Sequence, residues 1–411
     1  MAATDEAITR AHQEEWARLV ATLTRRFGDL DLAEDAAAEA FKTAVERWPV
    51  DGVPPNPGAW LSVTARRKAI DRIRREGRRD DLQREAHMRH DLDRPDPPGA
   101  VDDDRLRLIF TCCHPALSPE ARVALTLRLV GGLTVPEIAH AFLVQETTMA
   151  QRITRAKGKI RAARIPYRVP SAADLPARLS GVLAVLFLVF NEGYLASGAG
   201  TDPVRPDLTA EAIRLTRLLR TLLPDDGETA GLLALMLLTD ARRAARVSAS
   251  GELVTLPDQD RGLWDTVMIA EGHRLVRERL ASGVAPGRYQ LLAAIGAVHT
   301  SARRATDTDW RQVVALYDQL ARLDPSPIVA LNRAVAVAEV DGPDTALVLV
   351  DRLRDPLDGY HVYHAVRADL LRRLGRDGEA RAAYDRAIDL AGNTAETAFL
   401  TRRRDELPAR W

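Results

Sequence analysis

Cysteine is scarce in this chain of 411 residues: two are present, side by side at Cys112 and Cys113. Two adjacent cysteines supply no disulfide framework, which fits a reducing cytoplasm. Nor do they make a zinc site, which wants four ligands, because neighbouring side chains on a helix point in different directions. Small buried side chains are their expected role, and no metal or cofactor is expected. Long apolar runs are also missing. The longest, residues 182–190, falls well short of the roughly 20 residues that a membrane span needs. It reads as a buried helix, and no membrane partner is expected. Residues 1–18 carry acids and no apolar stretch, so no secretory signal is expected either. Signatures of catalysis are absent as well: no phosphate loop, no Ser/His/Asp order, no metal-ligand spacing. The chain is therefore not expected to be an enzyme. An enzyme hidden in residues 170–300 would need clustered acids, or His273 and His299 in one pocket, and the spacing gives no hint of that.

Net charge is zero, with 58 Lys and Arg against 58 Asp and Glu. Evenly spread, that balance would argue against a nucleic-acid partner, but it is not even. Residues 152–168 hold Arg152, Arg155, Lys157, Lys159, Arg161, Arg164 and Arg168 with no acid. Residues 66–79 are nearly as basic, with only Asp71 and Glu76 opposing. Such local clusters are what phosphate recognises.

Few segments alternate with period two, and apolar residues recur at three- and four-residue spacing, so the chain is expected to be all-α. Leu19, Leu23, Phe27 and Leu30 make one stripe. A second runs over residues 33–48 and is expected to end at Pro49; a third covers residues 59–76 with Trp60, Leu61, Ile70 and Ile73 inward. Pro95, Pro97, Pro98 and Gly99 mark a linker. The expected division is residues 1–90, a linker 91–104, a module 105–168, a helical extension 169–300, and a repeat region 301–411. The repeats show as Tyr317-Asp318-Gln319-Leu320, Val350-Asp351-Arg352-Leu353 and Tyr384-Asp385-Arg386-Ala387. Their period of about 34 residues is that of tetratricopeptide-like helical hairpins.

Two motifs carry function. The first is a helix-turn-helix. Thr134 caps a short helix with Pro136 in its first turn; Ile138, Ala139 and Phe142 face inward. A tight turn at residues 143–145 leads to a second helix from Glu146 to about Arg161, with Met149, Ile153 and Ile160 buried. Glu146, Thr147, Thr148, Gln151, Arg152 and Arg155 then face solvent. Short polar side chains at the start of such a helix suit base edges in a major groove, and arginines further along suit phosphate. Taken alone, an ordinary helical hairpin with a basic face fits equally well.

The second motif is Asn56-Pro57-Gly58-Ala59-Trp60-Leu61, followed by the basic helix Arg66-Arg67-Lys68-Ala69-Ile70-Asp71-Arg72-Ile73-Arg74-Arg75. Together with Ala33-Glu34-Asp35 and Glu39-Ala40-Phe41 upstream, it resembles region 2 of the extracytoplasmic-function sigma factors of the sigma-70 family. Residues 102–165 resemble their region 4, through Leu133-Thr134, Glu137-Ile138-Ala139, Thr148, Arg152 and Arg155-Ala156-Lys157. The resemblance implies two small helical sigma domains and an alternative sigma factor that binds core RNA polymerase and promoter DNA. It implies minus-ten contacts from Asn56, Trp60, Arg66, Arg67, Lys68, Asp71, Arg74 and Arg75. It implies minus-thirty-five contacts from Glu146, Thr147, Thr148, Gln151, Arg152, Arg155 and Lys157, and polymerase contacts from Asp35, Glu39 and Phe41. Three positions depart from the family pattern: Ala38 where Gln is usual, Arg67 where Asn is usual, and Leu143 where the turn usually has Gly. Beyond residue 170, Phe190-Asn191-Glu192-Gly193-Tyr194 and the repeats resemble a sigma subgroup with a fused helical extension. That extension is expected to pack on the two sigma regions and regulate them, or to bind a protein partner. The rival reading is a stand-alone helix-turn-helix regulator with a tetratricopeptide-like sensor.

Overall fold

A computed structural model describes residues 2–76, 104–142, 144–194, 205–248, 253–391 and 394–408. The proline-rich linker, Leu143, Arg78 and Arg79, and most of the loop before Asp207 lie outside the described residues. Among the described residues regular structure is helical, and extended backbone pairs only at one bridge, Val247 with Leu253. The chain forms two compact units, Met1–Val189 and Phe190–Trp411.

The first unit opens with a three-helix bundle: α1 (Ala2–Phe27), α2 (Leu30–Asp51) and α3 (Pro57–Glu76). Asp29 caps α2, its carboxylate accepting from the N–H groups of Asp31 and Leu32 at 2.8 and 3.0 Å. The buried side of α2 is Leu30, Ala33, Ala37, Phe41, Ala44 and Trp48, the i, i+3, i+4 spacing that seats one face on a core. Pro49 does not end this helix. It lies inside the last turn, where one missing N–H costs little, and the helix stops at Gly52, whose φ of 84° suits glycine.

The second module follows with α4 (Asp104–Cys112), α5 (Pro119–Leu125), a π-helical turn (Thr126–Gly131), α6 (Val135–Ala141) and α7 (Glu146–Ala162). The two modules were separable in the sequence, yet they pack into one unit. α1 lies against α4 and the π turn. Arg25 pairs with Asp104 at 3.2 Å, and the Tyr167 hydroxyl donates to the Ala21 carbonyl at 2.9 Å. The expected boundary near residue 168 falls inside this unit. Cys112 and Cys113 are buried in it, and burial pushes the Cys113 thiol up to about 11.

Helix α8 (Leu175–Tyr194) carries the longest apolar run. Its Val182, Leu183, Val185, Leu186 and Val189 are buried, and Leu188 is exposed. The helix reaches 20 residues, longer than the run itself, and by length and composition alone it is apolar enough to cross a membrane.

The second unit continues with α9 (Pro206–Leu222), α10 (Gly227–Asp240), α11 (Thr266–Ala281) and α12 (Arg288–Ser301). Then come α13 (Trp310–Leu323), α14 (Pro327–Val340), α15 (Pro343–Asp351), α16 (His361–Arg373), α17 (Asp377–Leu390) and α18 (Thr394–Asp405). These six form three hairpins, α13 with α14, α15 with α16, and α17 with α18. The aspartate that marks each repeat has a common job. Asp318 accepts from Arg333 at 2.6 Å, Asp351 from Arg367 at 2.8 Å, and Asp385 from Arg404 at 2.9 Å. Each bond ties the first helix of a hairpin to its second. The residue before each packs on the hairpin core: Val350 and Tyr384 are buried and Tyr317 is partly so.

Residues 190–194 close the junction between α8 and α9. Arg205 N–H donates to the Gly193 carbonyl at 2.7 Å, and Arg246 lies 3.5 Å from the Tyr194 ring while donating to its carbonyl at 2.7 Å. A Cβ on Gly193 would sit 2.6 Å from the Thr209 nitrogen, so this close approach admits only glycine without rearrangement.

Candidate nucleic-acid interface

The helix-turn-helix forms as its residues require. Thr134 and Glu137 make a reciprocal cap: the Glu137 carboxylate accepts from Thr134 N–H at 2.6 Å, and the Thr134 hydroxyl accepts from Glu137 N–H at 3.3 Å. Ile138 and Ala139 are buried, as are Met149, Ile153, Ala156 and Ile160 on α7. Phe142 is half-buried. Glu146, Thr147, Thr148, Gln151 and Arg155 are exposed, and Arg152 is partly so. The start of α7 therefore presents short polar groups and one arginine face to solvent, the arrangement that enters a groove.

In the first module, Asn56 caps α3, its side-chain oxygen accepting from Ala59 N–H at 3.0 Å. Pro57 follows at the first helical position, where its missing N–H is no loss. Trp60 packs edge-on against buried Trp48, with ring centroids 5.6 Å apart. Leu61, Ala65 and Ala69 fill the core side of α3, which leaves Arg66, Arg67, Asp71, Arg74 and Arg75 exposed on one basic face. Arg75 Nε donates to the Asp71 carbonyl at 3.2 Å.

The polymerase-facing candidates on α2 divide. Phe41 is a core residue, buried between His12 and Trp16, with ring centroids 4.9 and 6.0 Å away. Asp35 pairs with Arg72, and Glu39 lies 3.8 Å from Lys68. Both acids are partly exposed, so these contacts between α2 and α3 contribute little stability and leave the carboxylates reachable.

One minus-thirty-five candidate is withdrawn from solvent. Lys157 is buried, its side chain 9% exposed, and it donates to Glu34 and, at 2.7 Å, to Asp31. Glu34 also accepts from Arg128 Nε at 2.5 Å, and Arg161 reaches Asp31 at 2.8 Å. Burial pulls the Lys157 ammonium down, but Glu34 and Asp31 outweigh it and the net shift is upward. Burial likewise pushes the Asp31 carboxyl up, and Lys157 and Arg161 reverse it to a net lowering. The π turn aims Arg128 into this cluster. It ends at Gly132 (φ 80°), where a Cβ would meet His12 at 2.6 Å.

The cluster was missed in the sequence, although a signal existed. Glu34 falls on the apolar stripe of α2 beside Ala33 and Ala37, and Lys157 on that of α7 beside Ile153 and Ile160. Opposite charges set into two apolar stripes point to a buried pair. No group of three or more His, Cys, Asp and Glu suited to a metal ion occurs among the described residues. His273 bonds the Thr300 hydroxyl at 2.8 Å, while the His299 ring packs on Trp310 at 5.2 Å.

The site is thus that of a two-module helical DNA-binding protein, with a groove-reading helix on one module and a basic helix on the other. Family models agree. Residues 13–79 match sigma-70 region 2, residues 107–160 match sigma-70 region 4, and residues 178–280 match a family of unknown function (DUF6596). The chain is 46% identical over 394 residues to an uncharacterized protein of Rhizobium meliloti, covering 94% of this chain and 92% of that one. It is 32% identical over 199 residues to the probable ECF RNA polymerase sigma factor SigI of Mycobacterium tuberculosis, covering 46% of this chain and 67% of the relative. No solved structure matches. The chain belongs to the extracytoplasmic-function sigma factors of the sigma-70 family, alternative sigma factors that bind core RNA polymerase and promoter DNA to direct initiation. Catalysis in that family lies with the polymerase.

Proposed function

We propose that the two exposed faces divide promoter recognition between them. On α7, Thr148, Gln151 and Arg152 read base edges of the minus-thirty-five element, and Glu146, Thr147 and Arg155 position the helix. On α3, Arg66, Arg67, Arg74 and Arg75 hold the minus-ten strand by phosphate, with Asn56, Trp60, Lys68 and Asp71 at its margin. Asp35 and Glu39 meet basic groups of core polymerase. The observation that carries this reading is the one-sided exposure of polar and basic side chains on both helices, against inner faces that are apolar apart from Lys157 on α7. The chain performs no chemistry itself. The unit from Phe190 onward serves as a regulatory or partner-binding appendage, its hairpins offering the extended surface that helical repeats use for proteins.

A gel shift with promoter duplex tests this directly. The free chain should bind weakly, and core polymerase should convert it to a tight, promoter-specific complex. Equally tight, sequence-specific binding without polymerase would instead establish a stand-alone helix-turn-helix regulator. Truncation after Val189, which leaves the first unit whole, tests the appendage. Unaltered transcription in cells from that truncation would refute a regulatory role.

A further inference from the structure

A cavity of about 240 Å³ lies within the second unit, far along the chain from both DNA-facing helices. Its walls come from distant stretches. Leu253 and Val254 stand on the segment that bridges back to Val247, Val362 belongs to α16, and Phe399 and Leu400 belong to α18. At about 30 Å³ per water, the cavity has room for about eight waters. That is the size of a small metabolite, too small for a nucleotide or a folded peptide segment. A concave, mainly apolar space with a few convergent polar groups is the usual form of a ligand site.

Three polar groups converge here: Arg246, His361 and Glu396. Arg246 stacks on the Tyr194 ring and donates to the Tyr194 carbonyl at 2.7 Å, which fixes its guanidinium in place. Burial pulls the Arg246 cation down, and the charge of Glu396 is among those that oppose the shift. His361 Nε2 lies 3.3 Å from Glu396 Oε2, yet it is buried with no hydrogen-bond partner among the described residues. The side chains of His361 and Glu396 are only 22% and 17% exposed. Charges placed in such surroundings cost free energy unless a partner meets them.

These groups constrain what fills the space. An apolar body suits the walls. An anionic group suits Arg246, through a charge-assisted hydrogen bond. A cationic N–H donor suits Glu396, whose carboxylate can accept several bonds, and the same donor can reach His361 Nε2 beside it. A plain carboxylic acid brings the wrong charge to Glu396, and a plain amine brings the wrong charge to Arg246. We propose that the cavity binds a free α-amino acid with an apolar side chain the size of leucine. Its carboxylate lies on Arg246, its ammonium on Glu396 and His361, and its side chain against Leu253, Val362 and Phe399. The proposal concerns binding alone and does not depend on the sigma-factor reading.

The test is calorimetric titration of the purified full chain. Leucine, isoleucine, methionine and phenylalanine are compared with glycine, aspartate and lysine. At least one apolar amino acid should bind with a Kd of about 1 mM or below, and the other three classes at least about tenfold more weakly. Two analogues dissect the head group on the wild-type chain. 4-Methylpentanoate lacks the ammonium of leucine and 3-methylbutylamine lacks its carboxylate, and each should bind about tenfold more weakly or worse. Glu396→Gln should weaken leucine by a similar factor and leave 4-methylpentanoate unweakened. Ala365→Leu adds bulk to the α16 wall and should abolish binding while the chain melts at or above the wild-type temperature. Arg246 is left in place because it also holds Tyr194. Bound leucine should slow amide exchange in α16 and α18. No heat from any apolar amino acid at about ten times that concentration would overturn the proposal. So would 4-methylpentanoate that binds as tightly as leucine, or a folded Ala365→Leu chain that binds leucine at wild-type strength.

Discussion

Substitution of Gly193 by alanine sets two physical effects against each other. Gly193 and Gly181 both lie in α8, and helix propensity alone gives the same gain for Gly→Ala at either, about 1 kcal/mol. Their surroundings differ. At Gly181 an added Cβ meets nothing within 4 Å. At Gly193 it would lie 2.6 Å from the Thr209 nitrogen, 2.8 Å from Leu208 Cβ and 2.9 Å from the Arg205 carbonyl oxygen. Two of these are backbone atoms that cannot swing aside. Relieving the overlap means parting α8 from α9, at an overpacking cost of about 1–3 kcal/mol. It also loosens the 2.7 Å Arg205–Gly193 hydrogen bond, which contributes about 1 kcal/mol. Net of propensity, Gly193→Ala should destabilise by about 1–3 kcal/mol, whereas Gly181→Ala should stabilise by up to about 1 kcal/mol. For units of this size each kcal/mol moves the melting temperature by about 2–4 °C. Calorimetry of the full chain reads the shifts, and hydrogen exchange at the end of α8 assigns them. A Gly193→Ala protein that melts with or above the wild type would refute the close-approach argument and leave the glycine unexplained.

Three other outcomes are expected. His299 is held down at about 4 by burial and by Arg242 and Arg261, from an ordinary 6.5. The unfolded chain therefore takes up this proton first, and stability contributed at neutral pH is lost as pH falls below 6.5, by about 2 kcal/mol between pH 7 and pH 5. His299→Gln should flatten that window in thermal melts, and an unchanged slope would contradict the assignment. Replacing Arg67 and Arg74 together by alanine should lower the salt slope of polymerase-dependent promoter binding by about 1 per lost phosphate contact, uniformly across promoters. A loss confined to one promoter sequence would show base reading instead. Thr148→Ala and Gln151→Ala should reduce discrimination between matched and mismatched minus-thirty-five elements by about 1–3 kcal/mol, read by competition binding, with region 2 contacts unaffected.

Much of the fold was legible because its signals are local. The Thr134 cap and the stripes of α2 and α7 depend on residues a few positions apart and formed as read, while α3 starts at Pro57, two residues before the expected residue 59. The repeat aspartates were legible as a period, but their job was not, since Arg333, Arg367 and Arg404 sit 15, 16 and 19 residues further on with no fixed spacing. The helix end at Gly52 was read too early, at Pro49, because a proline in the last turn forfeits a single bond. What stayed hidden was long-range. Glu34 and Lys157 are 123 residues apart, and nothing in either stretch names the other. Phe41, a polymerase contact by the family resemblance, lies on the buried stripe of α2 with Ala37 and Ala44. The turn at Leu143 lies outside the described residues and leaves that departure from the family pattern where the sequence put it.

The central claim, a sigma factor that grips promoter DNA at two points, is tested most directly by transcription in vitro. Core polymerase is mixed with host genomic DNA and the purified full chain, and start sites are mapped by sequencing. The account expects a set of new start sites that appear only when the chain is present. It also expects all of them to vanish when Arg66, Arg67, Arg74 and Arg75 are replaced together by alanine. Start sites identical with and without the chain, in reactions where pull-down shows the polymerase carrying it, would contradict the account.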